Sequence, residues 1–314
     1  MNKPKIALLG KMNHKQAKSW LKALQENLPE ETICLFSELS PAERQQVEIA
    51  IVANPDPADV ETLPQLRWMQ SLWSGVEKLL TKCQSDVPIV RMIDPKLSQS
   101  MAEAVLAWTM FLHRDMPAYA IQQQQKIWQS REHKYASEVS VSILGLGSLG
   151  QAAASLLHKV GYQVSGWSQS SKQLKNIDTF NDQQGLQQML SNTDILVCLL
   201  PLTETTAGII NQELFKKLPS GASLINFSRG PLVNTADLIE ALKSKHLNHA
   251  VLDVFDQEPL PDDSPLWSNP AVTVLPHISA PSDTKSVSQT AADNIKSYRQ
   301  TGIVPPSVDR QKGY

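Results

Sequence analysis

Apolar positions fall into two rhythms along the chain. Lys5–Gly10 (KIALLG), Glu48–Ala53 (EIAIVA), Leu66–Leu72 and Ile89–Ile93 are short runs, mostly apolar, as strands covered on both faces of a parallel sheet require. Between the first two, Gln16–Leu28 places Ala17, Trp20, Leu21, Leu24 and Leu28 on one helical stripe. Asn54-Pro55-Asp56-Pro57 then stops the second run. This alternation predicts an α/β unit around a parallel sheet. Ser98 to Gln129 reads as one long helical stretch, ended or broken near Pro117, that connects to a second unit. Its Gln122–Gln125 run reads as a solvated helix face. The second unit repeats the alternation, with strands expected at Val139–Leu144, Gln163–Trp167, Asp194–Leu200, Ser223–Phe227, Ala250–Val254 and Val272–Leu275. A helix striped by Leu149, Ala153, Leu156, Leu157 and Val160 follows the first of them. Thr284–Gln300 is expected to be helical, and the tail beyond it extended and able to return over the first unit.

At 314 residues the chain suits two cores better than one. Its 41% hydrophobic and 19% charged residues are those of an ordinary globular protein. A formal charge of −2 provides no footprint for nucleic acid or an anionic membrane. Met1 to Gly10 is too short an apolar run for a signal peptide, and no stretch approaches a membrane span of about 20 apolar residues. Cys34, Cys83 and Cys198 are odd in number and widely spaced, which fits neither a disulfide framework nor a zinc site. Free thiols in a reducing, cytoplasmic setting are expected.

Candidate chemistry begins at Gly145-Leu146-Gly147-Ser148-Leu149-Gly150. In a strand–turn–helix setting, Gly145 permits the turn, Gly147 admits a pyrophosphate and Gly150 lets the helix pack closely. The helix N-terminus then faces the phosphates with unpaired N–H groups. Such a loop alone is weak evidence for a dinucleotide; the preceding strand and following helix strengthen it. At the end of the next strand an NAD site usually carries Asp or Glu, about 20 residues on. This chain has Trp167-Ser168-Gln169-Ser170-Ser171-Lys172, without an acid. Hydroxyls, an amide and a lysine there can donate to a 2′-phosphate, so NADP is expected to be preferred and NAD possible. The plain alternative is a polar loop.

Arg229, Asp253 and His277 follow predicted strand ends, where open α/β sheets bind ligands. Arg229 offers a planar, permanently charged fork suited to a carboxylate, although an arginine can equally serve a surface ion pair. Glu258 stands 29 residues later and can be read as a local loop cap; His277 follows after 19 more. The other six histidines (His14, His113, His133, His158, His246, His249) lack such a setting. A carboxylate beside an imidazole favours its charged form, which suits a proton donor to a developing alkoxide. No histidines or cysteines fall at metal-ligand spacing, and there is no GxSxG turn for a serine nucleophile.

Leu199-Leu200-Pro201-Leu202-Thr203, Thr206–Asn211, Ser228-Arg229-Gly230 and Asp253 through Pro261 stand in an order that resembles the D-isomer-specific 2-hydroxyacid dehydrogenases, over nearly the whole chain. Gly166-Trp167-Ser168 and the ending Val308–Tyr314 are most similar to the bacterial branch that reduces glyoxylate and hydroxypyruvate. The resemblance implies two Rossmann-like, doubly wound parallel-sheet domains. A dinucleotide-binding domain (101–280) would be inserted into a discontinuous substrate domain (1–100 plus 281–314). It implies NAD(P)H-dependent reduction of small 2-keto acids: Arg229 binding the substrate, His277 donating the proton and Glu258 paired with it. It also implies cofactor contacts from Gly145, Gly147, Ser148, Leu149, Gly150, Trp167, Ser168, Gln169, Lys172, Leu200, Pro201, Thr205, Phe227, Ser228 and Asp253, the last at the nicotinamide end. Trp73, Ser74, Gly75 and Val76 would hold the substrate carboxylate, and the protein would be a homodimer. Two positions depart from the branch: Gln169 stands where Arg is usual, and Trp73 is present whereas the usual Trp near Ala53-Asn54-Pro55 is missing. An NAD-linked enzyme with a bulkier substrate and a non-catalytic dinucleotide-sensing protein are the alternatives.

Overall fold

The structure, a computed structural model, describes residues 4–83 and 85–313; Met1 to Lys3, and Tyr314 at the end of the tail signature, lie outside the described residues. The chain divides into two units, residues 1–96 with 282–314, and residues 97–281.

The first unit holds five strands, β1 (Ile6–Gly10), β2 (Ile33–Leu35), β3 (Ile49–Ala53), β4 (Trp68–Ser71) and β5 (Ile89–Val90). They form one parallel sheet in the order β2-β1-β3-β4-β5. Every residue of β3 is buried, which explains its unbroken apolar run. The helix Thr284–Thr301 completes this core with Val287, Ala291 and Ile295 against Ile6, Ile49 and Trp68. Each such large side chain contributes roughly 1.5–3 kcal/mol on burial. Arg299 of the same helix pairs with the almost buried Glu31 at 3.1 Å and with Glu48 at 3.3 Å. The amide of Val308 continues along the β5 edge, donating to Ile89 O at 2.8 Å, so the C-terminal tail belongs to this unit.

The second unit holds seven strands: β6 (Ser140–Leu144), β7 (Gln163–Trp167), β8 (Asp178–Phe180), β9 (Ile195–Cys198), β10 (Ala222–Asn226), β11 (Leu247–Leu252) and β12 (Val272–Val274). All are parallel, in the order β12-β11-β10-β9-β6-β7-β8. The order reverses between β6 and β9, and the crevice of such a sheet opens at the strand ends there.

The expected long helix is two, Pro95–His113 and Met116–Gln125. The break lies at Asp115, in the left-handed region at φ 54°, and Pro117 sits harmlessly in the first turn of the second helix. Strands β2 and β8, three residues each, are not among the expected strands. All three cysteines are free. Among the described residues no helix is long and apolar enough to cross a membrane.

Candidate active site

The glycine loop follows β6 directly and leads into the helix Ser148–Val160. Its three glycines do different things. Gly145 has φ +104°, and a Cβ there would lie 2.6 Å from Leu199 O. A Cβ on Gly150 would lie 1.8 Å from Gly145 O, so this glycine sets how closely the helix approaches the loop. A Cβ on Gly147 would meet nothing within 4 Å. Packing therefore requires Gly145 and Gly150, while the space at Gly147 stays open to a ligand. Ser148 and Leu149 open the helix, and Leu146 is buried beneath the loop. Gly166 on β7 makes room for it, since a Cβ there would lie 2.5 Å from Leu146 Cδ2.

At the end of β7 the ribose-side residues separate. Ser168 is buried, and its hydroxyl donates to Ser170 O at 2.8 Å. Its amide donates to Phe180 O at 3.0 Å. Trp167 Nε1 donates to Asp182 O at 3.0 Å. Gln169 and Lys172 are exposed. Ser168 thus builds the turn, while Gln169, Ser170, Ser171 and Lys172 are exposed. Beyond β9, Leu200 is buried, Pro201 is half-buried and Thr205 is exposed. The Ser228 hydroxyl donates to Leu200 O and ties this segment to the loop after β10. Phe227 in that loop is buried.

Arg229 is anchored by Asn226, the last residue of β10, which is buried. Asn226 Nδ2 donates to Arg229 O at 3.0 Å and its Oδ1 accepts from Ser228 N at 3.2 Å. The half-buried guanidinium donates from Nη1 to Ser228 O at 2.7 Å. Next to it, a Cβ on Gly230 would lie 2.0 Å from Phe255 C and 2.3 Å from Phe255 O. The loop carrying Arg229 therefore lies directly on the backbone of the loop that carries Glu258.

Glu258 and His277 meet. Glu258 Oε1 accepts from Phe255 N at 3.1 Å, and Oε2 lies 2.8 Å from His277 Nδ1. A carboxylate can only accept, so Nδ1 carries hydrogen and Nε2 is the atom that exchanges a proton. The His277 side chain is 52% exposed, and among the described residues Nε2 has no hydrogen-bond partner. The arrangement can orient an imidazole and leave its far nitrogen to deliver or accept a proton. Asp253, 2% exposed, accepts the amides of Ile278 at 2.7 Å and Ser279 at 2.8 Å.

In the first unit, Trp73-Ser74-Gly75-Val76 follows β4. Ser71 Oγ accepts from Trp73 N at 3.0 Å and donates to Trp73 O at 2.9 Å. The Trp73 ring stands edge-on to Trp20 with centroids 5.9 Å apart. Sequence reasoning gives Asn226 no role of its own and Gly166 only a place in a signature, because what each makes room for or holds lies in a neighbouring loop.

The sequence profile of the family described as D-isomer specific 2-hydroxyacid dehydrogenase, NAD binding domain, matches residues 106–279. Glyoxylate/hydroxypyruvate reductase A of Yersinia enterocolitica is 34% identical over 307 residues, 95% of this chain and 97% of that protein. A D-isomer specific 2-hydroxyacid dehydrogenase from Xanthobacter autotrophicus Py2, solved in complex with NADPH and MES, matches with a TM-score of 0.93 at 34% identity, over 99% of this chain and 100% of that one. An NADPH-dependent glyoxylate/hydroxypyruvate reductase from Sinorhizobium meliloti, solved in complex with NADP and sulfate, matches with a TM-score of 0.90 at 33% identity and the same coverage. With a glycine loop at the switch point of its larger sheet and relatives aligned from end to end, the chain belongs to the D-isomer-specific 2-hydroxyacid dehydrogenase family.

Proposed function

We propose that this protein is an NADPH-preferring reductase of small 2-keto acids, such as glyoxylate and hydroxypyruvate, yielding 2-hydroxy acids. The observation that carries it is the His277–Glu258 pair, with Nδ1 held at 2.8 Å and Nε2 open. The dinucleotide fits the residues present, because Gly147 leaves open the space that any side chain would fill. Gly145, Gly147, Ser148, Leu149, Gly150, Trp167, Leu200, Pro201, Thr205, Phe227, Ser228 and Asp253 are the proposed cofactor contacts, with Ser168, Gln169 and Lys172 on the side of a 2′-phosphate. When bound, NADPH supplies the hydride. The chain's own residues do the rest. Arg229 takes the substrate carboxylate and polarises its keto oxygen with a charge-assisted contact. His277 Nε2–H gives the keto oxygen its proton, and Glu258 stabilises the imidazolium that must exist beforehand. In the first unit, the amides of Ser74, Gly75 and Val76 offer donors to a carboxylate.

A preference for NADP is supported by the absence of Asp and Glu from Trp167 to Lys172 and by the bound cofactors of the two solved relatives. A cytoplasmic location is supported by the three free thiols. A homodimer is supported by exposed apolar side chains close in sequence, Met116, Ile127, Trp128 and Tyr135, with Trp128 wholly exposed. The deciding assay is initial rates on a panel of 2-keto acids with NADPH and with NADH. Turnover of glyoxylate or hydroxypyruvate favouring NADPH is expected; an enzyme that turns over none of the panel refutes the reading.

A further inference from the structure

His277 is one of the non-glycine residues with positive φ, at +55°. A side chain rarely stays in that region unless its surroundings hold it there. The hold comes from one residue. The buried Asp253 carboxylate accepts the amide of Ile278 on Oδ1 at 2.7 Å and that of Ser279 on Oδ2 at 2.8 Å. These are the two peptide units immediately after His277. Asp253 is itself fixed at the end of β11, where its amide donates to Asn226 O at 3.1 Å. Upstream of the histidine, Leu275 N donates to Leu252 O at 2.9 Å. The loop is thus gripped on both sides of His277 by consecutive residues, Leu252 and Asp253.

From this geometry we propose that Asp253 is the positioning residue of His277, acting through the 278–279 amides and not chiefly as a cofactor contact. The inference rests on the reductase reading for its effect on turnover, though not for the contact itself. Ile278 is 55% exposed, so without the carboxylate its amide would exchange with water freely. With the carboxylate, the left-handed turn is locked and the imidazole approaches Glu258 at one fixed angle. A misplacement of about 1 Å at a proton donor typically costs on the order of 100-fold in rate.

The test combines hydrogen exchange with a mutational cycle on the full chain. In the unaltered protein the amides of Ile278 and Ser279 should exchange at least on the order of 100-fold more slowly than in an unstructured peptide. Unprotected amides there overturn the proposal without any variant being made. Asp253→Asn replaces one acceptor by a donor, so exchange across 276–280 should accelerate on the order of tenfold or more. Its kcat should fall about 10- to 100-fold, while the Kd for NADPH, read by fluorescence titration, should stay within about twofold. On a His277→Gln background the same change should cost less than about twofold, because a positioning residue has nothing left to position. A Kd for NADPH weakened on the order of tenfold with exchange unchanged identifies a cofactor contact and overturns the proposal, as does a fully additive loss in the double variant. If the unaltered protein reduces no 2-keto acid, the reductase reading fails, and the exchange rates alone decide for or against the clamp.

Discussion

Replacing Gly230 by alanine tests whether Arg229 and Glu258 depend on one shared contact. The added Cβ would lie 2.0 Å from Phe255 C, 2.3 Å from its oxygen and 2.4 Å from Asp256 N. Ordinary contact begins near 3.4 Å, so the two backbones must separate by more than an ångström, and backbone on both sides leaves no flexible side chain to yield. Arg229 precedes the glycine and Glu258 lies three residues beyond Phe255, so the separation moves Arg229, the proposed substrate-binding cation, away from the carboxylate that His277 Nδ1 meets. Displacement of that size in a catalytic constellation costs on the order of 100-fold in kcat/KM. The overpacking itself costs about 1–3 kcal/mol of stability. The assay is kcat/KM for the best 2-keto acid, alongside the Kd for NADPH and the urea midpoint. Activity should collapse with a modest loss of stability and little change in cofactor affinity. A Gly230→Ala enzyme within about threefold of the parent would refute the claim that the two loops are held in register here.

The glycine loop should separate into packing and ligand roles: Gly150→Ala should lose stability by 1–3 kcal/mol or more, whereas Gly147→Ala should keep its urea midpoint and lose NADPH affinity; equal effects on both readouts would contradict the assignment. His277→Gln should retain NADPH binding, read by fluorescence titration, and lose most turnover of the keto acid; a variant with near-parent kcat would exclude His277 as the proton donor. His249 is buried against Thr273, and burial pushes its imidazole down from 6.5 to about 4. The neutral form is favoured on folding, so stability is intact above pH 6.5 and is lost as pH falls towards 4. At about 1.4 kcal/mol per pH unit the loss reaches about 3 kcal/mol. His249→Gln should flatten that dependence, as urea midpoints at pH 7 and pH 5 would register; an unchanged dependence would exclude His249 as its source.

Periodicity alone carried most of the architecture. Runs such as Ile49–Ala53 are legible because a strand covered on both faces leaves no polar alternative at any position. The glycine loop was legible because backbone conformation and close approach allow few residue types. Arg229, Glu258 and His277 stood out by order and spacing after strand ends. Ile33–Leu35 and Asp178–Phe180 passed unread; the second, Asp-Thr-Phe, has one apolar residue and so no apolar run to read. The helix break fell near Pro117 as expected, with the left-handed residue at Asp115 and the proline in the first turn of the next helix, where it is tolerated.

Other assignments depend on segments far apart in sequence, and these only the folded chain could make. Ser168 stands in a polar string, and only the fold shows its hydroxyl donating to Ser170 O at 2.8 Å. Asp253, expected at the nicotinamide end, also accepts the amides of Ile278 and Ser279, 25 and 26 residues away. The sequence by itself determined the alternation of strand and helix, the place of the glycine turn and the residue types able to move a proton, because those follow from local sterics and intrinsic chemistry. Tertiary structure decided which polar atoms are consumed in holding loops and which remain for a substrate, because a hydrogen bond, once taken by a neighbour from another strand end, cannot be read from either residue alone.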